Sequence, residues 1–434
     1  MLPSFYYLTH VRTESNNYKW FVLGILTLVY VFNFMDRQVM ILLQEDIKQD
    51  LLLSDTQLGL LTGLAFAILY TILGLPLARY ADTHNRKNLL AVCLSFWSLM
   101  TVLSGRAMNF FQLMLTRIGV SAGEAGGMPP SHSILSDYFP PKQRGTAFAL
   151  YNSGIYLGIL LGFALAGKIA DLYGWRIAFY SLGAPGILLA LILKMTLREP
   201  KRGQMDVASG DTSDRTIVEV IRFLLGQKSF LYTCLGAGFM TYALYSSTNF
   251  CPSYLVRYHK LDIVTIGYGL GLATGIGGLL GTYLGGRLSD RLGKQDMRWY
   301  LYIPALAALL TTIPAIVRYW TEDGYLAIYM VFPYVLISSS FFGPLYAVGQ
   351  SLASPKMRAL ATAIILFFIN IIGLSCGPLV IGLVSDYLSA DHGALSLRYA
   401  ITINFTGLLI AALCFWYASR HYISDLENLE VSLA

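Results

Sequence analysis

Two short polar runs interrupt long apolar stretches of this 434-residue chain, and both carry charge. The first holds Tyr30, Asn33, Asp36 and Arg37. The second holds Arg117, Ser121 and Glu124, with Ser131 seven positions further on. On a helix, Tyr30, Asn33 and Arg37 share one face, with Asp36 about 100° from Arg37, and Arg117, Ser121 and Glu124 line a face of their own. A charged side chain at mid-bilayer costs about 2.5 to 3.5 kcal/mol on insertion scales, so such groups turn towards a partner or a water-filled cavity. Two chemistries are open to the set. Asp36 and Arg117 can form a buried pair that only fixes packing. Alternatively, Asp36 and Glu124 exchange protons, because burial and a neighbouring arginine pull a carboxyl group's proton affinity in opposite directions, while Arg37 and Arg117 hold an anionic group.

The elements that must position these groups are membrane spans. The chain is 55% hydrophobic and 13% charged, with a mean hydropathy of +0.56, far from a soluble globular composition. Its apolar segments are mostly about 18 to 25 residues, enough for a helix to cross hydrocarbon with its backbone hydrogen bonds closed internally. Strict alternation is absent, which argues against a β-barrel. Twelve helical spans are predicted at residues 19–43, 56–78, 88–106, 110–135, 145–168, 176–197, 229–255, 263–286, 298–318, 325–350, 357–384 and 397–420.

Basic residues concentrate at the termini and the even-numbered turns, among them Arg86, Lys87, Lys142, Arg144, Arg287, Arg291, Lys294, Lys356 and Arg358. The opposite loops hold fewer: Lys48, Arg106, Arg176, Arg257, Lys260, Arg318 and Arg398. The bias predicts cytoplasmic termini and a multi-pass protein of the cell's inner membrane. It also accounts for the net charge of +6, so no nucleic-acid partner is read from it. A removable signal peptide is not expected ahead of the first span. The five cysteines lie in or at the ends of spans without C-x-x-C spacing, indicating neither a disulfide framework nor a metal site; no cofactor is expected.

The chain is internally duplicated. Gly286-Arg-Leu-Ser-Asp290-Arg291-Leu-Gly-Lys294 is a charged turn between two spans, with a worn copy at Ala78-Arg-Tyr-Ala-Asp82-Thr-His-Asn85-Arg86-Lys87. Pro141-Lys-Gln-Arg144 returns as Pro355-Lys-Met-Arg358, and Gly167-Lys-Ile-Ala-Asp171 as Gly382-Leu-Val-Ser-Asp386. Three landmarks in one order at nearly constant spacing imply two halves: residues 1–200 and 229–434, each a bundle of six spans, joined by a flexible cytoplasmic linker at 201–228. Duplicated halves with a site at their interface are the architecture of secondary transport.

Small residues at four-residue spacing mark spans 2 (Gly59, Gly63, Ala67), 5 (Gly154, Gly158, Gly162), 8 (Gly277, Gly281, Gly285) and 11 (Gly373, Gly377). Singly, each stripe is ordinary helix packing. Their symmetric placement predicts a seam that closes and slides. Asp36, Arg37 and Arg117 lie at similar depth, permitting an Asp36 to Arg117 pairing. The second half offers no comparable charges; its cavity candidates are Tyr245, Asn249, Tyr346 and Asn370 among apolar neighbours. One charged half facing one apolar half suits an amphipathic substrate with an acidic head, although such Tyr and Asn residues are also common packing and capping groups.

Gly162 to Lys168 imitates the start of a phosphate-binding loop, but Ile169 stands where Ser or Thr is required, and the stretch lies in a span. No H-E-x-x-H or G-x-S-x-G pattern appears, so an enzyme is not expected.

The repeated turn resembles the signature of the major facilitator superfamily. Within it the chain resembles the Spinster-like family, through Asn33-Phe-Met-Asp36-Arg37, Ser54-Asp-Thr-Gln-Leu-Gly59, Arg117, Gly123-Glu124-Ala125, Pro129, Ser136-Asp137-Tyr-Phe-Pro140, Arg144-Gly145 and Gly174-Trp-Arg176. The resemblance implies a bacterial member of an all-α fold: twelve transmembrane helices in two pseudo-symmetric bundles, alternating access, and spans 1, 4, 7 and 10 around the cavity. It implies a cytoplasmic gate drawn from Asp82, Arg86, Lys87, Arg144, Asp290, Arg291, Lys294 and Arg358, with Asp82 bracing the outward-facing state against Arg144. It also implies sphingolipid- or lysophospholipid-like substrates, with protons used by some members. The expectation is a monomeric, proton-linked transporter of an amphipathic anion, coupled through Asp36 and Glu124. Small organic anions such as sugar acids or phosphates, amphipathic drugs, and a non-transporting receptor or scaffold are the alternatives.

Overall fold

Apolar segments that close their own backbone hydrogen bonds dominate the computed structural model, which describes residues 16–203, 205, 217–354 and 357–433. Among these residues every regular element is helical, and each predicted span is present. Span 1 is Asn16–Leu51, span 2 Asp55–Thr83, span 3 Arg86–Ser104, span 5 Pro141–Tyr173 and span 6 Trp175–Thr196. In the second half, span 7 is Lys228–Arg257, span 8 Ile263–Gly293 and span 9 Trp299–Trp320. Span 10 occupies 324–351, span 11 occupies 358–392 and span 12 occupies 396–433, each in pieces. Span ends are set by local chemistry. Ser54 and Gln57 form a reciprocal capping box at the start of span 2, and Asn109 and Asp262 cap spans 4 and 8.

Two departures from the predicted spans have clear causes. Span 4 is broken into Phe110–Glu124 and Met128–Tyr138. Pro129 and Pro130 open the second piece, where their missing N–H groups and ring bulk cannot continue the first, so Glu124 sits at a helix end. The predicted linker also contains a helix, Ile217–Gly226, with Val220 and Leu224 buried beside the second half. The Ala208 to Asp214 part of that linker, and the Pro355 and Lys356 landmark, lie outside the described residues.

Outward surfaces carry exposed Ile72, Leu115, Leu188, Ile313 and Leu413, the apolar coat of a protein surrounded by lipid. Span 1 packs on span 5 and span 3 on span 6; in the second half, span 7 packs on span 12 and span 8 on span 10. The halves meet along spans 2 and 11 and along spans 5 and 8, the seam expected from the sequence.

Most of the expected glycine stripes do other work. Only span 2 uses its stripe across the seam: a Cβ on Gly59 would lie 2.4 Å from the Pro378 carbonyl oxygen, and one on Gly63 2.9 Å from that of Leu374. Gly154, Gly158 and Gly162 instead pack on span 1, Gly277, Gly281 and Gly285 on span 10, and Gly373 and Gly377 on span 7. These are contacts within a half. The seam between spans 5 and 8 uses Gly167, Gly267, Gly271 and Gly275, lying against Ile263, Phe163, Leu160 and Tyr156. A helix presents several faces, and spacing alone does not say which one meets the partner half.

Candidate functional site

The first-half charges converge where spans 1, 2, 3 and 4 meet. Arg37 donates from Nε to Glu124 Oε2 at 2.7 Å. Its guanidinium also stands over Phe34, Phe66 and Tyr70 at 5.0, 4.5 and 5.2 Å, a ring cage that suits a flat, weakly hydrated cation. The Asp36 to Arg117 ion pair that their equal depth permits is not among the ion pairs of the described residues. Arg117 Nη1 reaches only the main-chain carbonyl of Asp36, at 3.5 Å. The physical reason is rotation about span 1: Arg37 points to the broken end of span 4, which brings Glu124 within reach, while Asp36 turns into the bundle. Asp36 is 0% exposed, and both its carboxylate oxygens lack a hydrogen-bond partner among the described residues.

Beside the pair lies a small cavity lined by Tyr30, Asn33, Tyr70, Trp97, Glu124 and Tyr151. Tyr30 stacks on Tyr151 at 4.5 Å with their planes 7° apart. Tyr245 and Tyr346 approach from the second half, within electrostatic reach of Tyr70, and Tyr245 also of Arg37. Of the residues singled out in the sequence, Tyr30, Asn33, Arg37, Glu124, Tyr245 and Tyr346 come together here; Phe66, Tyr70, Trp97 and Tyr151, which join them, had no signal beyond that of aromatic residues in apolar runs. Ser121 is differently engaged: its hydroxyl donates to the Phe66 carbonyl, tying span 4 to span 2. Ser131 likewise donates to the Gly127 carbonyl. Asn370 lies half-buried in a π-helical stretch of span 11.

Asn249 belongs to a different structure, a seal between the halves at the end of the bundle away from the N-terminus. Its carbonyl accepts a bond from Gln44 of span 1. Asp55, at the start of span 2, accepts a two-pronged bond from Arg257 of span 7 at 2.6 and 2.7 Å, together with Lys48 and Ser385. Asp386 of span 11 in turn caps span 2, accepting from the main-chain N–H groups of Asp55 and Thr56. Arg257 also holds Glu45. Arg257, placed by sequence among loop residues, is a crosspiece of this seal.

At the opposite end, the hydrogen bonds of the expected gate residues to other described residues lie within their own halves. Asp82, Asp290, Arg291, Lys294 and Arg358 are exposed, and Asp290 accepts from Tyr300 of its own half. Arg144 donates to the carbonyls of Ser136 and Phe139. Arg86 is buried and draws together Asp137, Ser133, Glu199 and the Pro200 carbonyl, while the Lys87 main chain donates to Glu199. Arg86 is therefore a bracket inside the first half.

The second half does hold a buried charge. Arg318, counted among the loops, is 1% exposed between Tyr319 and Tyr334, both rings at 4.4 Å, and donates to Ser247 and to Tyr319, the latter at 2.8 Å.

Residues 26–375 match the model of the Major Facilitator Superfamily. An MFS-type efflux pump of Mycolicibacterium smegmatis is 36% identical over 418 residues, covering 96% of each chain. The probable galactarate/D-glucarate transporter of Bacillus subtilis is 28% identical, covering 88% of this chain and 89% of its own. The crystal structure of a bacterial homologue of the human lysosomal transporter Spinster, inward-facing and unoccupied, superposes with a TM-score of 0.88 at 30% identity, covering 95% of this chain and 99% of that one. With that superposition over nearly the whole chain, and with the Asp36-Arg37 and Glu124 cluster at its centre, the chain belongs to the major facilitator superfamily, in its Spinster-like group of membrane transporters.

Proposed function

We propose that the chain is a proton-linked secondary transporter of an amphipathic organic anion, working by alternating access with its termini in the cytoplasm of a bacterial cell and its spans in the inner membrane. The observation that carries this reading is the Arg37 to Glu124 pair at the cavity wall, with Asp36 buried nearby without a bond. An anionic head group that approaches Arg37 must displace Glu124. Displacing it as a carboxylate would strand a desolvated negative charge, which costs several kcal/mol; protonating it removes that cost. Anion and proton binding therefore support one another, and by linkage each raises the other's affinity. Arg117, 2% exposed and two helical turns from Glu124 on the same piece of span 4, supplies a second positive charge.

The substrate class follows from the walls. Aromatic rings from both halves surround the charged cluster, and among the described residues the second half adds tyrosines but no carboxylate there, an environment for a greasy body behind an acidic head. A second reading, a porter of small sugar acids, is favoured by the galactarate/D-glucarate transporter among the relatives and by the small size of the cavity.

Purified protein in proteoliposomes separates the two. Uptake of labelled lysophosphatidate that rises when an inward proton gradient is imposed, and that is lost in Asp36→Asn and Glu124→Gln, supports the proposal. Uptake of labelled glucarate without lysophosphatidate supports the second reading. Gradient-independent uptake in both carboxyl variants at the wild-type rate overturns the coupling.

A further inference from the structure

We propose that the cavity selects an acid carrying a hydroxyl group beside its charged end, with the Trp97 indole N–H donating to that hydroxyl and the Asn33 side-chain oxygen accepting from it. This rests on the reading of the chain as a carrier of organic anions, and names the head group it takes, whether the rest of the molecule is a greasy chain or a sugar acid.

Three buried polar atoms of the residues that line this cavity have no hydrogen-bond partner among the described residues: Trp97 Nε1, Asn33 Oδ1 and Glu124 Oε1. Buried polar groups are nearly always paired, so each exception needs a reason. Trp97 of span 3, 0% exposed, is fixed against the break in span 4: a Cβ on Gly123 would lie 2.8 Å from the Trp97 Cβ, and one on Gly127 3.6 Å from the far edge of the indole. Those glycines flank Glu124 in sequence and leave the ring its place. Asn33, 5% exposed, sits about one turn before Arg37 on span 1. Arg37 takes Glu124 Oε2 at 2.7 Å and leaves Oε1 unbonded. A donor and two acceptors thus belong to one cavity wall without bonding to each other.

The set defines its ligand. An indole nitrogen only donates, so it needs an acceptor from outside, and an amide oxygen only accepts, so it needs a donor. A hydroxyl group supplies both, and a place near Arg37 puts it beside the acid that Arg37 attracts. An ionised carboxylate without a hydroxyl answers Trp97 but offers Asn33 no proton. An ammonium group answers Asn33 and leaves Trp97 unpaired. Glu124 changes role when it takes a proton; Trp97 and Asn33 do not, so the requirement holds in both states. A site built to bond a hydroxyl rejects the analogue lacking it, because binding that analogue leaves buried groups unpaired.

Full-length protein in proteoliposomes under an inward proton gradient reads this with matched pairs: labelled lysophosphatidate against its analogue lacking the glycerol hydroxyl, and labelled glucarate against adipate, the same diacid chain without hydroxyls. The hydroxylated member of the transported pair is expected to have a KM lower by about tenfold, and the pair that is carried tells a lipid from a sugar acid. Trp97→Phe, which keeps a ring and removes the N–H, and Asn33→Leu, which removes the amide, are each expected to raise the KM of the hydroxylated member, so that the ratio within the pair falls towards one. A merely structural role would weaken both members alike and leave the ratio unchanged. Should Trp97→Phe fold poorly, Asn33→Leu and the wild-type ratio decide the matter. Equal KM values within the transported pair in the wild type, or a wild-type ratio retained in the variants, overturn the proposal and leave the organic-anion reading standing. Absence of gradient-driven uptake of every compound overturns that reading, and the hydroxyl inference with it.

Discussion

Arg37 and Glu124, 87 positions apart, form an ion pair at 2.7 Å in which the glutamate side chain is 0% and the arginine side chain 19% exposed. Removing one partner of such a pair strands the other, typically at about 3 to 5 kcal/mol, whereas removing both restores neutrality. Arg37→Met and Glu124→Gln are expected to lower thermal stability in detergent, and the double variant to recover most of the loss. Because Arg37 keeps some exposure and its three rings, Glu124→Gln falls at the mild end. All three variants are expected to lose gradient-driven uptake, so stability and transport part company in the double variant. Additive stability losses would show that the pair is not coupled.

The glycines give a sharper contrast. A methyl group on Gly59 meets the Pro378 carbonyl oxygen of the other half at 2.4 Å, and one on Gly281 meets the Leu336 carbonyl oxygen of its own half at 2.2 Å. Gly59→Ala therefore wedges the sealed end open and biases the protein towards the opposite-facing state, while Gly281→Ala strains one bundle. Spin labels at Leu52→Cys and Lys260→Cys, on a background without the five native cysteines, are expected to show a longer distance population for Gly59→Ala only. Gly281→Ala is expected to lower the melting temperature and leave the distances unchanged. Identical behaviour of the two variants would dissolve the distinction.

Arg86 separates a bracket from a gate. Its four partners among the described residues all belong to the first half or the segment leaving it, and Asp137 and Glu199 would both lose this buried cation in Arg86→Ala. A loss of about 3 to 5 kcal/mol is expected, read as poor yield and a lowered melting temperature. If the variant instead stays stable and changes only the ratio of inward- to outward-facing distances, Arg86 is a gate residue.

The spans, the duplication and the polar cluster were legible because each rests on a property of the residues themselves: apolar length, repeated landmarks, and the cost of charge in lipid. What was not legible depends on rotation and on the third dimension. The sequence placed Asp36, Arg37 and Arg117 at one depth, and pairing Asp36 with Arg117 was as consistent with that depth as the pairing of Arg37 with Glu124. The break after Glu124 had a signal in Gly126, Gly127, Pro129 and Pro130, and it is this break that lets the glutamate meet Arg37. Arg257 and Arg318 sit near span ends, where composition reads them as solvated; tertiary packing buries one in the seal between halves and the other among tyrosines.

Arg318 provides a last test, because among the described residues no carboxylate is bonded to it. Two tyrosine faces and two hydroxyls solvate it, and desolvated cation–π contacts contribute about 2 kcal/mol. Lysine keeps the charge but cannot lie flat between Tyr319 and Tyr334, so Arg318→Lys is expected to destabilise the second half by about that amount. Methionine removes both the charge and its desolvation cost, and the groups left behind already satisfy one another: Ser247 and Tyr319 share a hydroxyl bond at 3.1 Å, and Tyr319 also donates to the Ser247 carbonyl at 3.1 Å. Replacing a buried charge by an apolar side chain of similar volume is often neutral, so Arg318→Met is expected to melt close to wild type and to transport normally. The reverse order, methionine worse than lysine in melting temperature or uptake, would mean that the positive charge itself is used.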